Sequence, residues 1–598
     1  MVKMKMVGTN VTEGDKAVRT DPAGKDGQQT PGTNGVLLQA KGLTIGTRTG
    51  MSLLSDISFH IEAGELIALT GVSYSGKSAL LRSLAGLMPP SSGEILIDGV
   101  NLYANLKAFR SSIGFVPAEF ALQKNFTVAE VMEDGARLRL PRRISKHERN
   151  QRLQNLLATV GLTQMVDSRV GSLSRIEKHQ LSIAVELIGD PGVLLLDAPV
   201  EQLTPFEEVQ ITILLRELSR QGLTIIQVDQ RARSAGLSDK VIFLAPGGLL
   251  AWFGPPDEAS IYLRNLVPKG IAKDLFGLKE ALEVLTNPQR QEGVEWAKRF
   301  KSDPAYQKYV DDPLHDRYPD LLLQTRPLLR LRLRNSSQEK LPPPIIPRAN
   351  AAQKLILLIR RDVRLLWREK TVFSMLTIPL LIALVDFVLS PAMISEPARA
   401  PIIFGVMVFL VLLTSALLLQ NEIFKERMSY QYENRTKTLL LPYVLSKVWL
   451  VGILSIYQGL VWAIVHLVAT GMTGGAQTLL PYGITVSLIA FIGGILGVIV
   501  SALPRTVMTT TNWLLIFTVP QLILSGAIIP VVNLNFFLKF FSGINPARYA
   551  LEALLTIGGS GAGSIVIPLS HWILLAIIGL CLIALLMGIQ QRAGNAGI

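Results

Sequence analysis

The octet Gly71-Val72-Ser73-Tyr74-Ser75-Gly76-Lys77-Ser78 decides how the rest of this chain is read. Two glycines with four residues between them are followed directly by Lys and Ser. The octet lies between a strand-like apolar run, Leu66-Ile67-Ala68-Leu69, and a helix-like run, Ala79-Leu80-Leu81-Arg82-Ser83-Leu84-Ala85. Strand, glycine loop and helix in that order predict a phosphate-binding loop. Glycine lets consecutive backbone N–H groups turn inward onto phosphate oxygens, and the start of the helix adds partial positive charge. Lys77 then reaches the β- and γ-phosphates, and the Ser78 hydroxyl ligates Mg²⁺. A chance match in a glycine-rich turn is the competing reading, and the motifs downstream weigh against it.

At 598 residues the chain is too long for one core. A mean hydropathy of +0.36 with 18% charged residues is unusual for a soluble protein, and the apolar excess begins after about residue 370. The formal net charge is +13. No basic stripe interleaved with aromatics supports nucleic-acid binding. The basic residues instead flank the apolar spans, which suits an anionic inner leaflet. One cysteine, Cys581, rules out an internal disulfide and leaves no thiolate cluster for a structural metal.

Residues 1–35 read as a disordered leader without the apolar core of a signal peptide, so the domain that follows is expected to stay in the cytoplasm. Residues 36–259 alternate short apolar strands with helices, as in a layered α/β domain. Val193-Leu194-Leu195-Leu196-Asp197 is an apolar strand closed by a carboxylate. A buried parallel strand puts such a residue at the ligand edge of its sheet, where Asp197 can hold Mg²⁺.

The order of these motifs resembles the nucleotide-binding domain of an ABC transporter, a P-loop NTPase. After the loop at Gly71–Ser78 come Leu173-Ser174-Arg175-Ile176-Glu177, then Val193–Asp197, then Thr224-Ile225-Ile226-Gln227-Val228-Asp229-Gln230. Leu181–Pro191 resembles subfamily G, the white-type and multidrug half-transporters and related bacterial exporters. The resemblance implies ATP and Mg²⁺ as cofactors. It places Gly71, Ser73, Ser75, Gly76, Lys77, Ser78, Ala79 and Ser174 on the nucleotide, with Ser78 and Asp197 on the metal. Several family groups are absent. Arg175 and Ile176 stand where the signature has two glycines, and Ala198 where the catalytic carboxylate follows the Mg²⁺ aspartate. Ala118 replaces the lid glutamine, Gln230 the switch histidine, and Glu201-Gln202-Leu203-Thr204 the Ser-Gly-Leu-Asp loop; no aromatic for adenine is evident near Leu43–Ile45. Without an acid at 198 nothing obvious polarises the attacking water, a loss of about 10²–10⁴-fold. Gln230 cannot carry the imidazolium charge. Two readings stand for Glu119 and Glu201: solvated loop carboxylates, or substitutes for the missing acid.

Residues 260–350 form a connector in which Trp296 and Phe300, four apart, read as a packing pair. Its Arg-rich run, Arg326 to Arg334, faces lipid headgroups or water on the simplest reading. Residues 351–370 are amphipathic and basic, like the family's elbow helix, and are expected to touch both the ATPase domain and the membrane. Six apolar spans are predicted near 371–390, 401–421, 445–469, 482–503, 510–530 and 566–590, making 371–598 an all-α membrane domain. Glu422–Arg427 resembles the coupling helix expected to press on the ATPase domain, and Asn545–Ala553 a re-entrant segment. Asp386 and His466 are candidates for substrate or proton contacts. The plainer readings make Asp386 interfacial, near the outer end of its span, and His466 a neutral interhelical hydrogen-bonder. Pro520 and Gln521 sit where a break would line an apolar cavity.

One ATPase domain and one membrane domain make half a transporter. The expectation is an inner-membrane half-transporter with its ATPase domain in the cytoplasm. It would export a hydrophobic or amphipathic, lipid-like compound as a homodimer or with a second half-transporter, and hydrolyse ATP weakly. The alternative is a nucleotide-sensing regulatory membrane subunit that binds ATP without pumping.

Overall fold

A computed structural model describes residues 35–46, 52–118, 122–141, 144–197, 203–229, 235–266, 293–315, 350–391, 397–433, 440–471, 476–503, 507–559 and 568–596. The first half is built on two sheets. Strands β1 (Leu38–Gly46), β2 (Ser52–Ile61), β4 (Ser92–Ile97) and β5 (Val100–Asn101) form an antiparallel sheet in the order β2-β1-β4-β5. Strands β3 (Leu66–Gly71), β6 (Ile113–Val116), β7 (Val193–Leu196), β8 (Thr224–Val228), β9 (Lys240–Ala245) and β10 (Leu249–Gly254) form a sheet in the order β10-β9-β3-β8-β7-β6. All its pairings are parallel except β10 with β9. Every residue of β3, β6, β7 and β8 is buried, as expected of continuous apolar strands covered on both faces.

Among the described residues, seven helices of eight residues or more surround these sheets: α1 (Lys77–Leu84), α2 (Val128–Arg139), α3 (Lys146–Thr159), α4 (Arg175–Leu187), α5 (Pro205–Arg220), α6 (Pro256–Leu266) and α7 (Gly293–Lys301). Capping boxes start three of them, from Thr127 with Glu130, Ser174 with Glu177, and Thr204 with Glu207. In α7 the predicted pair does pack: Trp296 stacks on Phe243 at 6.2 Å, and Phe300 lies 5.4 Å from Trp252. The Arg-rich run of the connector lies outside the described residues.

The second half is helical. The basic amphipathic stretch folds as α8 (Ala351–Arg368), followed by α9 (Thr371–Leu389), α10 (Ala400–Leu419), α11 (Glu422–Glu433), α12 (Leu440–Thr470), α13 (Ala476–Ala502), α14 (Val507–Ile523), α15 (Phe536–Ile544), α16 (Pro546–Gly559) and α17 (Leu569–Ala596). Among the described residues five helices are long and apolar enough to cross a membrane: Thr371–Leu389, Ala400–Arg427, Leu440–Thr470, Leu479–Ala502 and Leu569–Gln591. The remaining predicted span, 510–530, differs. Its helix contains Pro520, ends at Ile523 and gives way to a turn at Gly526 (φ 90°). The proline ring denies the helix one N–H, and the helix stops within a turn of it. Gly493 and Gly497, one turn apart on α13, let α10 approach closely. A Cβ on either would lie 2.4 Å from a carbonyl oxygen, of Leu412 and Ala416 respectively.

Candidate functional site

The parallel strands deliver their C-terminal ends to one edge of the sheet, and the candidate site is assembled there. β3 ends at Gly71 (φ 149°), and the loop re-enters helix α1 through Gly76 (φ 86°). Only glycine fits at 76, since an added Cβ would stand 2.4 Å from the Leu53 carbonyl oxygen and 2.7 Å from Leu54. Gly76 caps α1 with no side chain of its own to cover the helix start, an arrangement suited to an anion.

Lys77 folds back over the loop, donating to the carbonyls of Gly71 at 2.9 Å and Val72 at 2.7 Å. Ser78 donates to Asp197 Oδ1 at 3.0 Å, across 119 residues of sequence. Asp197 is itself fixed by its N–H, which donates to the Val116 carbonyl at 2.8 Å. Burial raises the Asp197 carboxyl above its ordinary value, while the Ser78 hydroxyl, Arg82 and Lys77 pull it down. A hydroxyl and a buried, under-neutralised carboxylate side by side are hard oxygen donors suited to Mg²⁺. The structure thus gathers Gly71, Ser73, Ser75, Gly76, Lys77, Ser78, Ala79 and Asp197 at one sheet edge. Ser75 is fully buried there, and its Oγ has no hydrogen-bond partner among the described residues.

Ser174 is engaged elsewhere. Its hydroxyl bonds Glu177 Oε2 at 2.8 Å and accepts from the Glu177 N–H at 3.4 Å, starting α4, and none of its described hydrogen bonds reaches the loop. Arg175 and Ile176 occupy the first turn of that helix. Ala198, Gln230, Glu119 and Glu201 lie outside the described residues.

Tyr74 escaped the reading of the octet. It adopts φ 62° inside the loop and its ring is wholly exposed. A non-glycine residue held in the left-handed region costs about 1–2 kcal/mol. The available signal was a bulky aromatic among small residues.

A second junction links the sheets to the helical half. Arg364 on α8 donates to both Asp134 oxygens at 2.9 and 3.1 Å, and Arg368 to both Glu130 oxygens at 2.6 and 2.9 Å. Both guanidinium groups lie over the Phe126 ring, at 5.1 and 5.7 Å. Against the upward push of burial, the Thr127 backbone and Arg368 hold Glu130 below the usual carboxylate range. Because the groups are partly solvated, the expected coupling is modest. Exchanging the charges, as Glu130→Arg with Arg368→Glu, should recover about 1 kcal/mol of what either single change loses in a double-mutant cycle of thermal unfolding.

The segment read as the coupling helix forms α11. The ion pairs of α11 run to α8 and α12: Lys425 meets Glu369 at 2.9 Å, just past the end of α8, and Glu426 meets Lys447 at 2.9 Å. Lys447 also reaches Asp362 of α8 at 3.2 Å and Glu422 at 3.9 Å, and its side chain is 1% exposed. Burial pushes Asp362 up to about 6, with Lys447 holding it down. No feature of the sequence reading singled out Lys447; a lone lysine early in an apolar span was the signal.

Asp386 lies three residues from the end of α9 and faces the neighbouring helices. It is 1% exposed, buried inside the bundle, and lies 3.2 Å from His466.

Residues 54–201 match the sequence family described as ABC transporter, and residues 353–557 the family described as ABC-2 type transporter. The chain is similar to the ABC transporter ATP-binding/permease protein Rv1747 of Mycobacterium tuberculosis, 26% identical over 86% of this chain and 57% of that protein. It is also similar to the broad substrate specificity ATP-binding cassette transporter ABCG2 of Sus scrofa, 32% identical over 44% of this chain and 41% of that protein. The Macrolide export ATP-binding/permease protein MacB 1 of Yersinia pestis is 31% identical over 39% of this chain and 37% of that protein. The chain therefore spans about half the length of the curated relatives it matches. With an ABC ATPase domain ahead of an ABC-2 membrane domain in one polypeptide, the chain belongs to the ABC transporters and has the layout of a G-type half-transporter.

Proposed function

We propose that the chain is a half-transporter that binds ATP with Mg²⁺ in its cytoplasmic ATPase domain and exports a hydrophobic or amphipathic compound from the inner membrane. It works as a dimer, with itself or with a second half-transporter. The observation that carries this reading is the Lys77–Ser78–Asp197 cluster at the sheet edge, joined through α8 to the apolar spans. Bound ATP supplies the phosphates; the chain's residues hold them. The first-turn N–H groups of α1 and the Lys77 ammonium bind the phosphates, while Ser78 and Asp197 hold the metal. With Ala198 in the place of an acid and Arg175-Ile176 in the signature, binding outlasts hydrolysis. The ion pairs of α8 pass any movement of α2 into the membrane half.

Those same replacements favour one second reading, a nucleotide-sensing membrane subunit that grips ATP without pumping. ATP turnover by purified protein in lipid, beside Ala198→Glu, tests the reading. The expected result is saturable binding with low turnover, and a rise of roughly 10²-fold in Ala198→Glu. Ordinary turnover in the unaltered chain, unchanged in Ala198→Glu, would show that another acid does this work. Binding in both forms with no cargo movement in either would favour the sensor.

A further inference from the structure

Four polar side chains meet inside the apolar bundle, at the end away from α8. Asp386 lies within about one turn of the end of α9, and Ser390 follows that helix directly; His466 is equally near the end of α12. Tyr482 belongs to α13. The Ser390 hydroxyl donates to Asp386 Oδ1. His466 Nδ1 stands 3.2 Å from Asp386 Oδ2 and 3.1 Å from Ser390 Oγ. The imidazole lies flat on the Tyr482 ring, with centroids 4.3 Å apart and planes 9° apart, and the Phe404 ring of α10 lies 5.7 Å from it, tilted by 43°. Asp386, Ser390, His466 and Tyr482 are 1%, 0%, 2% and 5% exposed. Two polar atoms of this cluster have no hydrogen-bond partner among the described residues: His466 Nε2 and the Tyr482 hydroxyl.

The arrangement defines a chemical capacity. A neutral imidazole whose Nδ1–H donates a hydrogen bond to the Asp386 carboxylate has a bare lone pair on Nε2. Among the described residues His466 is the one basic group in contact with Asp386; α13 adds the Tyr482 phenol, and α10 adds only Phe404. With the imidazole neutral the site carries a net charge of −1 inside an apolar core. With the imidazole protonated the charge is zero. A buried carboxylate without a counter-charge is costly, and intramembrane ionisable groups are retained for work of this kind. A cargo molecule would need space that such burial denies; a proton needs only the approach of one water molecule.

We propose that Asp386, Ser390, His466 and Tyr482 form a proton-binding site within the membrane domain. Uptake moves one proton from hydronium to His466 Nε2 and leaves water. The imidazolium is held by the Asp386 carboxylate, and release reverses the same step, returning the proton from Nε2 to water. The site stands independently of ATP hydrolysis and of the cargo.

The test uses the full chain in liposomes, following thermal unfolding from about pH 5 to about pH 9 together with the infrared carboxylate bands after a pH jump. The unaltered chain should show a Tm step of about 5 °C across that range and a carboxylate band that shifts with it. His466→Gln should lower Tm and remove the step. The double change Asp386→Asn with His466→Gln should be flat with pH and return to near the upper Tm, because no buried charge remains. If His466→Gln does not fold, the double variant carries the comparison alone. Asp386→Asn should delete the shifting band. A pH step and band that persist in the double variant would overturn the proposal. So would a loss of Tm that is the same at every pH, the mark of a purely structural pair.

Discussion

Lys77→Ala should weaken ATP binding by roughly 10²-fold or more, measured by titration of a non-hydrolysable analogue into the purified protein. The estimate follows from the bonds lost. Lys77 Nζ already lies over the loop, within 2.9 Å of the Gly71 carbonyl and 2.7 Å of that of Val72, so it needs only to exchange these acceptors for phosphate oxygens. Each hydrogen bond between charged partners is worth about 1.5–3 kcal/mol, and two of them correspond to roughly 10²–10⁴ in affinity. The fold should tolerate the change, because strand β3 and helix α1 are packed by Leu66–Leu69, Leu80, Leu81 and Leu84, all buried. An unchanged Tm with lost affinity therefore separates the effect from unfolding. Affinity that survives in a folded Lys77→Ala protein would remove the phosphate loop from the argument and, with it, the half-transporter reading.

Much of this architecture is legible in the sequence because it rests on short-range rules. The octet is readable because the φ angles at Gly71 and Gly76 exclude most other residues, and the flanking runs are a buried strand and a helix. Helix α8 is readable because its apolar and basic residues fall on opposite faces over 18 residues. What the sequence hides is pairing across distance. Asp386 and His466 each allow a plain reading alone, and nothing local says that 80 residues apart they share a hydrogen bond. Lys447 is similar: its three carboxylate neighbours come from α8 and α11, and only the packing of those helices against α12 reveals them. The shortened α14 shows the opposite case. Pro520 was visible, but apolar character continues past it, and hydropathy alone extends the span across the turn at Gly526.

Lys447→Met should cost about 3–5 kcal/mol of stability, the usual result of removing one partner from a buried ion pair. For a helical half of this size that corresponds to a fall in Tm of roughly 10 °C, read in detergent or lipid by thermal unfolding. The reason is the company Lys447 keeps. Its ammonium is buried between Asp362 of α8 and Glu426 and Glu422 of α11, and it lies 5.5 Å from the Tyr443 ring. Methionine fills the same space with no charge, so buried carboxylates lose a cation that contacts three of them. The sign with pH is also fixed. Burial holds Asp362 near 6, above the unfolded value of about 3.9, so its contribution to stability is present at low pH and is lost as pH rises through about 6. Without Lys447 that loss should grow, making the variant comparatively better at pH 5 than at pH 8. Combining Lys447→Met with Asp362→Asn, Glu422→Gln and Glu426→Gln should restore most of the lost Tm, since polar amides can remain buried at lower cost than unpaired charge. If Lys447→Met leaves Tm unchanged at pH 8, the carboxylates are not buried in the membrane-bound protein, and the close packing of α8, α11 and α12 does not hold there. If Tm falls as expected and the quadruple variant recovers it but moves no cargo, the charges themselves carry motion from α8 into the spans, and apolar packing alone is not enough.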